Sequence, residues 1–465
     1  MGQTSLSSLF AFLLILSIVH DSWCQKQCGV SDDDDGRGPS STVRAGFWFS
    51  QYRLHSPATT IDASLYTHLY YYALSLDDCA NSGIAVPPDQ VAVLGNFSGT
   101  VKSNNPALKT LLSVAADGCQ PSFSAMAADA ALRAAFIASS LELARANAFD
   151  GLDLAWQFPS SPADMANLGL LLEEWRARIG EEAARSSTPS TLLLTMTAYF
   201  SNHLFDGPTT DGPDYPTDAI SRSLDWVNVL CFGFHRNGNA TANDAALFDQ
   251  TSHFSASYGV TSWLDAGIPP CKLVMGVPVY GRSWILRNKS KNEPGDPVVA
   301  EGPRQKMSNQ SGLIAYLEIE GFLKDPGTKF VYDSRTATSY FQSGDLWVSY
   351  DSPQVVEGKV RFARRSGLLG YFLWPISFDD SNHTVAERAS GVWLEERESP
   401  GGGGEEESLP EGGAPPPPPP PPAAAGAGSV SASAQRLPLT RCPVVLACGL
   451  SCFLSVWLWA YWLWA

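Results

Sequence analysis

Two hydrophobic periods alternate along residues 43–396 of this 465-residue chain. Compact apolar runs rich in β-branched and aromatic residues recur at 43–49 (VRAGFWF), 66–76 (YTHLYYYALSL), 108–116 (LKTLLSVAA), 149–159 (FDGLDLAWQFP), 191–198 (TLLLTMTA), 224–234 (LDWVNVLCFGF), 272–284 (KLVMGVPVYGRSW) and 367–374 (GLLGYFLW). Each reads as a strand. After the fourth run, Met165, Leu168, Leu172, Trp175 and Ile179 recur at spacings of 3, 4, 3 and 4, the apolar stripe of a helix. Residues 124–147 are Ala-rich, and Ala is the strongest helix former. Strands alternating with helices imply a parallel sheet, and eight such units predict an α/β fold, a (β/α)8 TIM barrel. The stretch 286–350 is too long for one crossover helix, so an insertion is expected between strand 7 and strand 8.

Within the fourth run the period is two. Gly151, Asp153, Ala155 and Gln157 share one face and Leu152, Leu154 and Trp156 the other. The apolar set should pack outward on the helices, and Trp156 belongs with it. Functional residues of such barrels emerge at the carboxyl ends of the strands, which places Gln157 at the mouth.

That segment, from Phe149 to Pro159, resembles the signature of the plant class V chitinases, the substrate-assisted hydrolases of glycoside hydrolase family 18. The family pattern is DxxDxDxE, and the resemblance makes its last Glu the proton donor. Asp150 and Asp153 keep the first two carboxylates, whereas Ala155 and Gln157 hold the last two positions. Glycosidic cleavage needs an acid to protonate the departing oxygen, and an amide has no acidic proton near neutral pH. A general acid contributes roughly 10²–10⁴ in rate. The resemblance also implies that the third acid holds the acetamido group in its attacking pose, which Ala155 cannot do. Residues 224–234 resemble the family's MxYDY segment, with Phe232, Gly233 and Phe234 at its tyrosine and aspartate places. Residues 108–116 resemble SxGG, with Ala115 and Ala116 for the glycines. The expected catalytic set is therefore empty, with Ala155, Gln157, Gly233 and Phe234 as degenerate positions.

Further groove positions follow from the same resemblance. Trp374 matches the tryptophan that floors the sugar site, and Tyr280 and Arg282 match groove residues. Trp48 and Phe232 are aromatics at other strand ends. Together with Asp153 and Gln157 these form the expected ligand-binding set, although Trp48 and Trp284 equally suit core packing and Asp153 equally suits a buried carboxylate satisfied by its neighbours. Residues 286–350 match the family's small α+β insertion, which walls one side of the groove. Three functions stay open: a chitinase-like lectin or sensor binding N-acetylglucosamine-containing glycans without hydrolysis, a protein-binding module of inhibitor or receptor-ectodomain type, and a residual chitinase.

Residues 9–19 (LFAFLLILSIV) have the length of a signal-peptide core rather than a span. Five N-x-[ST] sequons, at Asn96, Asn239, Asn288, Asn309 and Asn382, agree with secretion. The expected organisation is a signal peptide (1–24), a flexible N-terminal segment (25–42), the barrel (43–396), a Gly/Glu/Pro-rich linker (397–442) and a hydrophobic C-terminal segment (443–465). That last segment is uncharged and long enough to cross a bilayer, with Arg436 and Arg441 before it. A GPI signal, a single membrane span as in a truncated receptor, and a gene-model artefact all remain open for it.

Composition changes the picture little. Half of the formal charge of −16 comes from eight acids in low-complexity flanks, Asp32 to Asp35 with Glu405, Glu406, Glu407 and Glu411. The remaining mild negative balance disfavours nucleic acid and suits a neutral sugar or a protein partner. Among the nine cysteines, Cys28, Cys79, Cys119, Cys231 and Cys271 fall in the secreted part, an odd number that leaves one thiol without a partner inside it. Cys79 and Cys119, which follow strands at one barrel face, are the expected disulfide. Cys231 and Cys271 fit burial in or beside strands. No spacing suggests a metal site, and no cofactor is expected.

Overall fold

The computed structural model describes residues 42–76, 83–115, 123–185, 191–205, 212–235 and 238–395. The expected leader, linker and apolar tail, and also Cys79, Cys119 and Ala116, lie outside the described residues. In chain order the strands are β1 (Val43–Phe49), β2 (His68–Leu76), β3 (Lys109–Ala115), β4 (Gly151–Ala155), β5 (Leu193–Ala198), β6 (Trp226–Val229), β7 (Leu273–Pro278), β8 (Tyr280–Leu286), β9 (Val298–Glu301), β10 (Leu313–Ala315), β11 (Lys329–Asp333), β12 (Thr338–Ser343), β13 (Leu346–Tyr350) and β14 (Gly370–Trp374). A two-residue strand, Ile84–Ala85, adds to the end of β2. The helices are α1 (Val91–Lys102), α2 (Phe123–Ala128), α3 (Ala130–Ala146), α4 (Pro162–Arg185), α5 (Thr217–Ser223), α6 (Ala256–Asp265), α7 (Tyr316–Leu323), α8 (Pro353–Arg365) and α9 (Thr384–Leu394).

Eight strands pair in parallel in the order β1-β14-β7-β6-β5-β4-β3-β2, and the pairing of β1 with β2 closes the ring. This is a (β/α)8 barrel. Closure depends on a bare backbone at one point, because a Cβ on Gly370 would lie 1.7 Å from the Val43 carbonyl oxygen. The outward face follows the period-two reading. Trp156 stacks on Phe123 of α2 with centroids 5.7 Å apart, and Phe136 of α3 meets Trp175 of α4 edge-on at 5.0 Å. Trp175 and Ile179 are fully buried, and side chains of this size each gain roughly 1.5–3 kcal/mol from leaving water.

The other six strands, β8 to β13, form an antiparallel sheet ordered β9-β8-β13-β12-β11, with β10 also paired to β8. Its own small core holds Trp284, Leu286, Val298, Tyr340 and Trp347. Trp284 is therefore insertion packing.

Three expected boundaries differ. The run 272–284 is two strands, because the parallel ladder with β14 ends at Pro278 and Val279, and Tyr280–Leu286 pairs antiparallel with β13, so the insertion starts at Tyr280. Only Trp226–Val229 of the sixth run is strand; beyond it Gly233 takes a φ of 77°. The Ala-rich helix is split at Asp129, whose carboxylate caps α3 by accepting from the Ala131 and Leu132 amides at 2.8 and 3.0 Å. Cys231 is a buried free thiol, its pKa pushed up to about 12 by burial. Cys271 is disulfide-bonded, against its reading as a merely buried residue, with a partner outside the described residues.

Candidate functional site at the barrel mouth

Inside the barrel, Asp153 is fully buried. It accepts from Ser113 Oγ at 2.8 Å on β3, Thr195 Oγ1 at 2.8 Å and Thr197 Oγ1 at 3.1 Å on β5, and Asn228 Nδ2 at 3.2 Å on β6. Trp226 Nε1 and Asn228 Nδ2 donate to the Tyr70 hydroxyl on β2. Burial raises the Asp153 pKa while the hydroxyls and amide pull it down. In this structure the carboxyl is buried and satisfied by its neighbours on β3, β5 and β6, which is the buried-carboxylate reading of this position. Asp150 lies on the outer side, paired with Lys102 at 2.6 Å and accepting from the Thr110 amide at 2.8 Å.

Two residues further along the inward face, Ala155 lies beside Ala115 in the β3–β4 register and is buried. Past the strand end, Gln157 is half-buried. Its Nε2 is shielded from solvent and has no hydrogen-bond partner among the described residues, so no described carboxylate accepts from it. The segment after β6 presents Phe232, Gly233 and Phe234. Phe234 packs edge-on against Phe200 at 4.9 Å, and the positive φ at Gly233 lies in the region that favours glycine.

Trp374 ends β14 inside a cluster of rings. Its centroid lies 4.7 Å from Tyr72, 4.8 Å from Phe47, 4.9 Å from Phe49 and 6.1 Å from Phe232. It is 8% exposed. Phe232 in turn meets Tyr280 edge-on at 6.0 Å, and the Arg282 guanidinium sits 5.9 Å from the Tyr280 ring centre. The structure thus joins Trp374, Phe232, Tyr280 and Arg282 into one contiguous cluster, whose three rings are largely buried. Trp48 does not join it. It faces outward, fully buried, against Tyr71 at 5.6 Å and Phe97 of α1 at 5.3 Å, because its neighbour Phe47 takes the inward parity.

Sequence reading missed Tyr72, although its parity with Tyr70 signals an inward ring. It also missed Asp244, 4% exposed, which lies next to Arg282. Nothing in its local sequence singles it out. Among the described residues, no group of three or more His, Cys, Asp or Glu is placed to hold a metal ion.

The sequence matches the model of glycosyl hydrolases family 18 over residues 44–379. It is 37% identical over 345 residues to Nod factor hydrolase protein 1 of Medicago truncatula, spanning 73% of this chain and 87% of that protein. Among solved structures it is similar to a Glu-to-Gln mutant of class V chitinase from Nicotiana tobaccum in complex with NAG4, at a TM-score of 0.71 and 34% identity over 76% of this chain and 99% of that one. A chitinase-like agglutinin from Robinia pseudoacacia gives a TM-score of 0.67 and 34% identity with the same coverage. With this extent of match, the chain belongs to glycosyl hydrolase family 18, with plant class V chitinases among its homologues.

Proposed function

We propose that this protein binds N-acetylglucosamine oligosaccharides at the barrel mouth without hydrolysing them, as a secreted chitinase-like lectin or sensor. The observation that carries the reading is Gln157, an amide at the proton-donor place of the family motif with no described acid hydrogen-bonded to it. Ala155 and Gly233 remove two further polar groups from the positions that would orient an acetamido group. The tobacco chitinase carrying a Glu-to-Gln change was solved with a chitin tetramer bound, and an amide in place of a carboxyl is the change Gln157 represents. The Robinia relative is named an agglutinin, which agrees with binding as a function for this scaffold. Trp374 and Tyr280 supply the aromatic faces that suit the apolar side of a pyranose.

Secretion is supported by all five sequon asparagines, Asn96, Asn239, Asn288, Asn309 and Asn382, being exposed. A mobility shift on enzymatic deglycosylation of the plant-expressed protein tests it. Calorimetry with (GlcNAc)4, alongside a chitin-oligomer turnover assay, tests the main reading. Binding without turnover, weakened in Trp374→Ala, is the expected result. Turnover abolished by Gln157→Ala would replace it with a working hydrolase. The absence of heat at millimolar sugar would leave the protein-binding module, a reading favoured by the small exposed area of Trp374.

A further inference from the structure

Of the buried side-chain polar atoms without a hydrogen-bond partner among the described residues, four cluster in two short stretches: Asn243 Oδ1, Asp244 Oδ2, Arg282 Nε and Ser283 Oγ. The middle two face each other. Asp244 Oδ2 lies 3.6 Å from Arg282 Nε, with side-chain exposures of 5% and 13%. That separation is too long for a hydrogen bond. Asp244 is nevertheless firmly held. Its Oδ1 accepts from the His235 amide at 3.0 Å, and its backbone oxygen accepts from the Phe234 amide at 3.0 Å. The loop after β6 is thereby stitched to a carboxylate whose second oxygen is aimed at an unpartnered guanidinium N–H.

The two charges neutralise each other as an ion pair, but Oδ2 and the Nε–H are each left without a hydrogen bond, which is costly for buried polar atoms and leaves both open to a group placed beside them. An acceptor and a donor 3.6 Å apart fit a group that donates to one and accepts from the other, and a sugar hydroxyl does both. The pair also adjoins the proposed sugar surface. Arg282 lies over Tyr280, Tyr280 meets Phe232, and Phe232 meets Trp374.

We infer that Asp244 is a specificity-determining ligand residue of this chain, which with Arg282 Nε reads a hydroxyl of a neutral oligosaccharide lying on the Trp374 surface. The assignment rests on the sugar-binding reading above. It returns a carboxylate to a mouth where Ala155 and Gly233 supply none, from a loop rather than a strand end, and it is suited to holding a ligand rather than protonating one.

The test is calorimetric titration of the full chain with (GlcNAc)4, using wild type, Asp244→Asn and Arg282→Lys, each with a thermal melt. Asn retains an acceptor for the His235 amide but loses the ionic oxygen. Lys keeps the charge but moves the donor. Each variant is expected to weaken Kd at least tenfold, and the double variant to be little worse than either single one. An Asp244→Asn protein with wild-type melting and unchanged Kd overturns the inference and leaves sugar binding standing. If that variant does not fold, an unchanged Kd in Arg282→Lys overturns it instead. A wild type that binds no (GlcNAc)4 removes the sugar-binding reading, and this subsite with it.

Discussion

Asp153 and Gln157 share one face of a single strand and its extension, yet their surroundings are opposite. Asp153, in the middle of the barrel, has its oxygens saturated by donors from three neighbouring strands. Gln157, at the mouth, carries an amide nitrogen with no described partner. The difference separates two requirements that one motif combines. A polar group in the barrel interior must be satisfied or the fold loses several kcal/mol. A polar group at the mouth is needed only for chemistry, and the sheet closes without it. A family 18 barrel can therefore keep its inner carboxylate while its outer ones are replaced.

The sharpest way to break this comparison is Asp153→Ala. The substitution leaves Ser113, Thr195, Thr197 and Asn228 facing a void without their shared acceptor, and should cost about 3–5 kcal/mol. Gln157→Ala and Ala155→Ser, by contrast, should stay within about 1 kcal/mol. Urea unfolding of the three variants decides it. Equal losses for Asp153 and Gln157 would show that the mouth is as structural as the interior.

Reversion sharpens the same contrast from the other side. Gln157→Glu alone should raise chitin-oligomer turnover little, because residues acting as a unit contribute non-additively. Adding Ala155→Asp and Gly233→Asp should give a gain well beyond the product of the single effects, within the roughly 10²–10⁴ that a placed general acid supplies. The Gly233 change has a backbone cost as well, since its φ of 77° is one that side chains other than glycine rarely adopt. Initial rates on (GlcNAc)4 or longer oligomers measure this. Family-level turnover from Gln157→Glu alone would show that the acetamido clamp survives in some other form.

The barrel was legible in the chain because strand and helix periods are local properties: residues 149–159 gave both the strand and its two faces. The places where reading failed are places where a distant partner decides. Trp48 looks like a groove aromatic at a strand end, and only the register with β2 and the position of Phe97 turn it toward the helix layer. Residues 272–284 look like one strand because both halves are apolar, and it is pairing with β13 that draws Tyr280–Leu286 into a second sheet. Asp153 was left open between ligand and core until its four donors, from residues 113 to 228, were in place. Asp244 was invisible, since its relation to Arg282 spans the insertion boundary.

The smallest expected effect concerns the amino end of the barrel, away from the mouth. His68, at the start of β2, lies edge-on to Trp226 at 5.0 Å and shares a 2.8 Å contact between Nδ1 and Thr67 Oγ1. Burial pushes its pKa down to about 4. The unfolded chain binds a proton there below about pH 6.5, whereas the folded chain stays neutral until about pH 4. His68 therefore lowers stability progressively as pH falls from about 6.5 to about 4, by of the order of 1–3 kcal/mol, and lowers nothing above that window. Asp379 acts in the opposite direction over an overlapping range, its pKa raised by burial to about 6. The informative quantity is thus the difference between wild type and His68→Gln, followed by urea unfolding between pH 4 and 7.5. The difference should shrink in favour of the variant as pH drops, with (GlcNAc)4 affinity unaffected at pH 7. A flat difference would mean that His68 ionises as freely in the folded barrel as in water, and that the satisfied interior does not extend to its amino-terminal end.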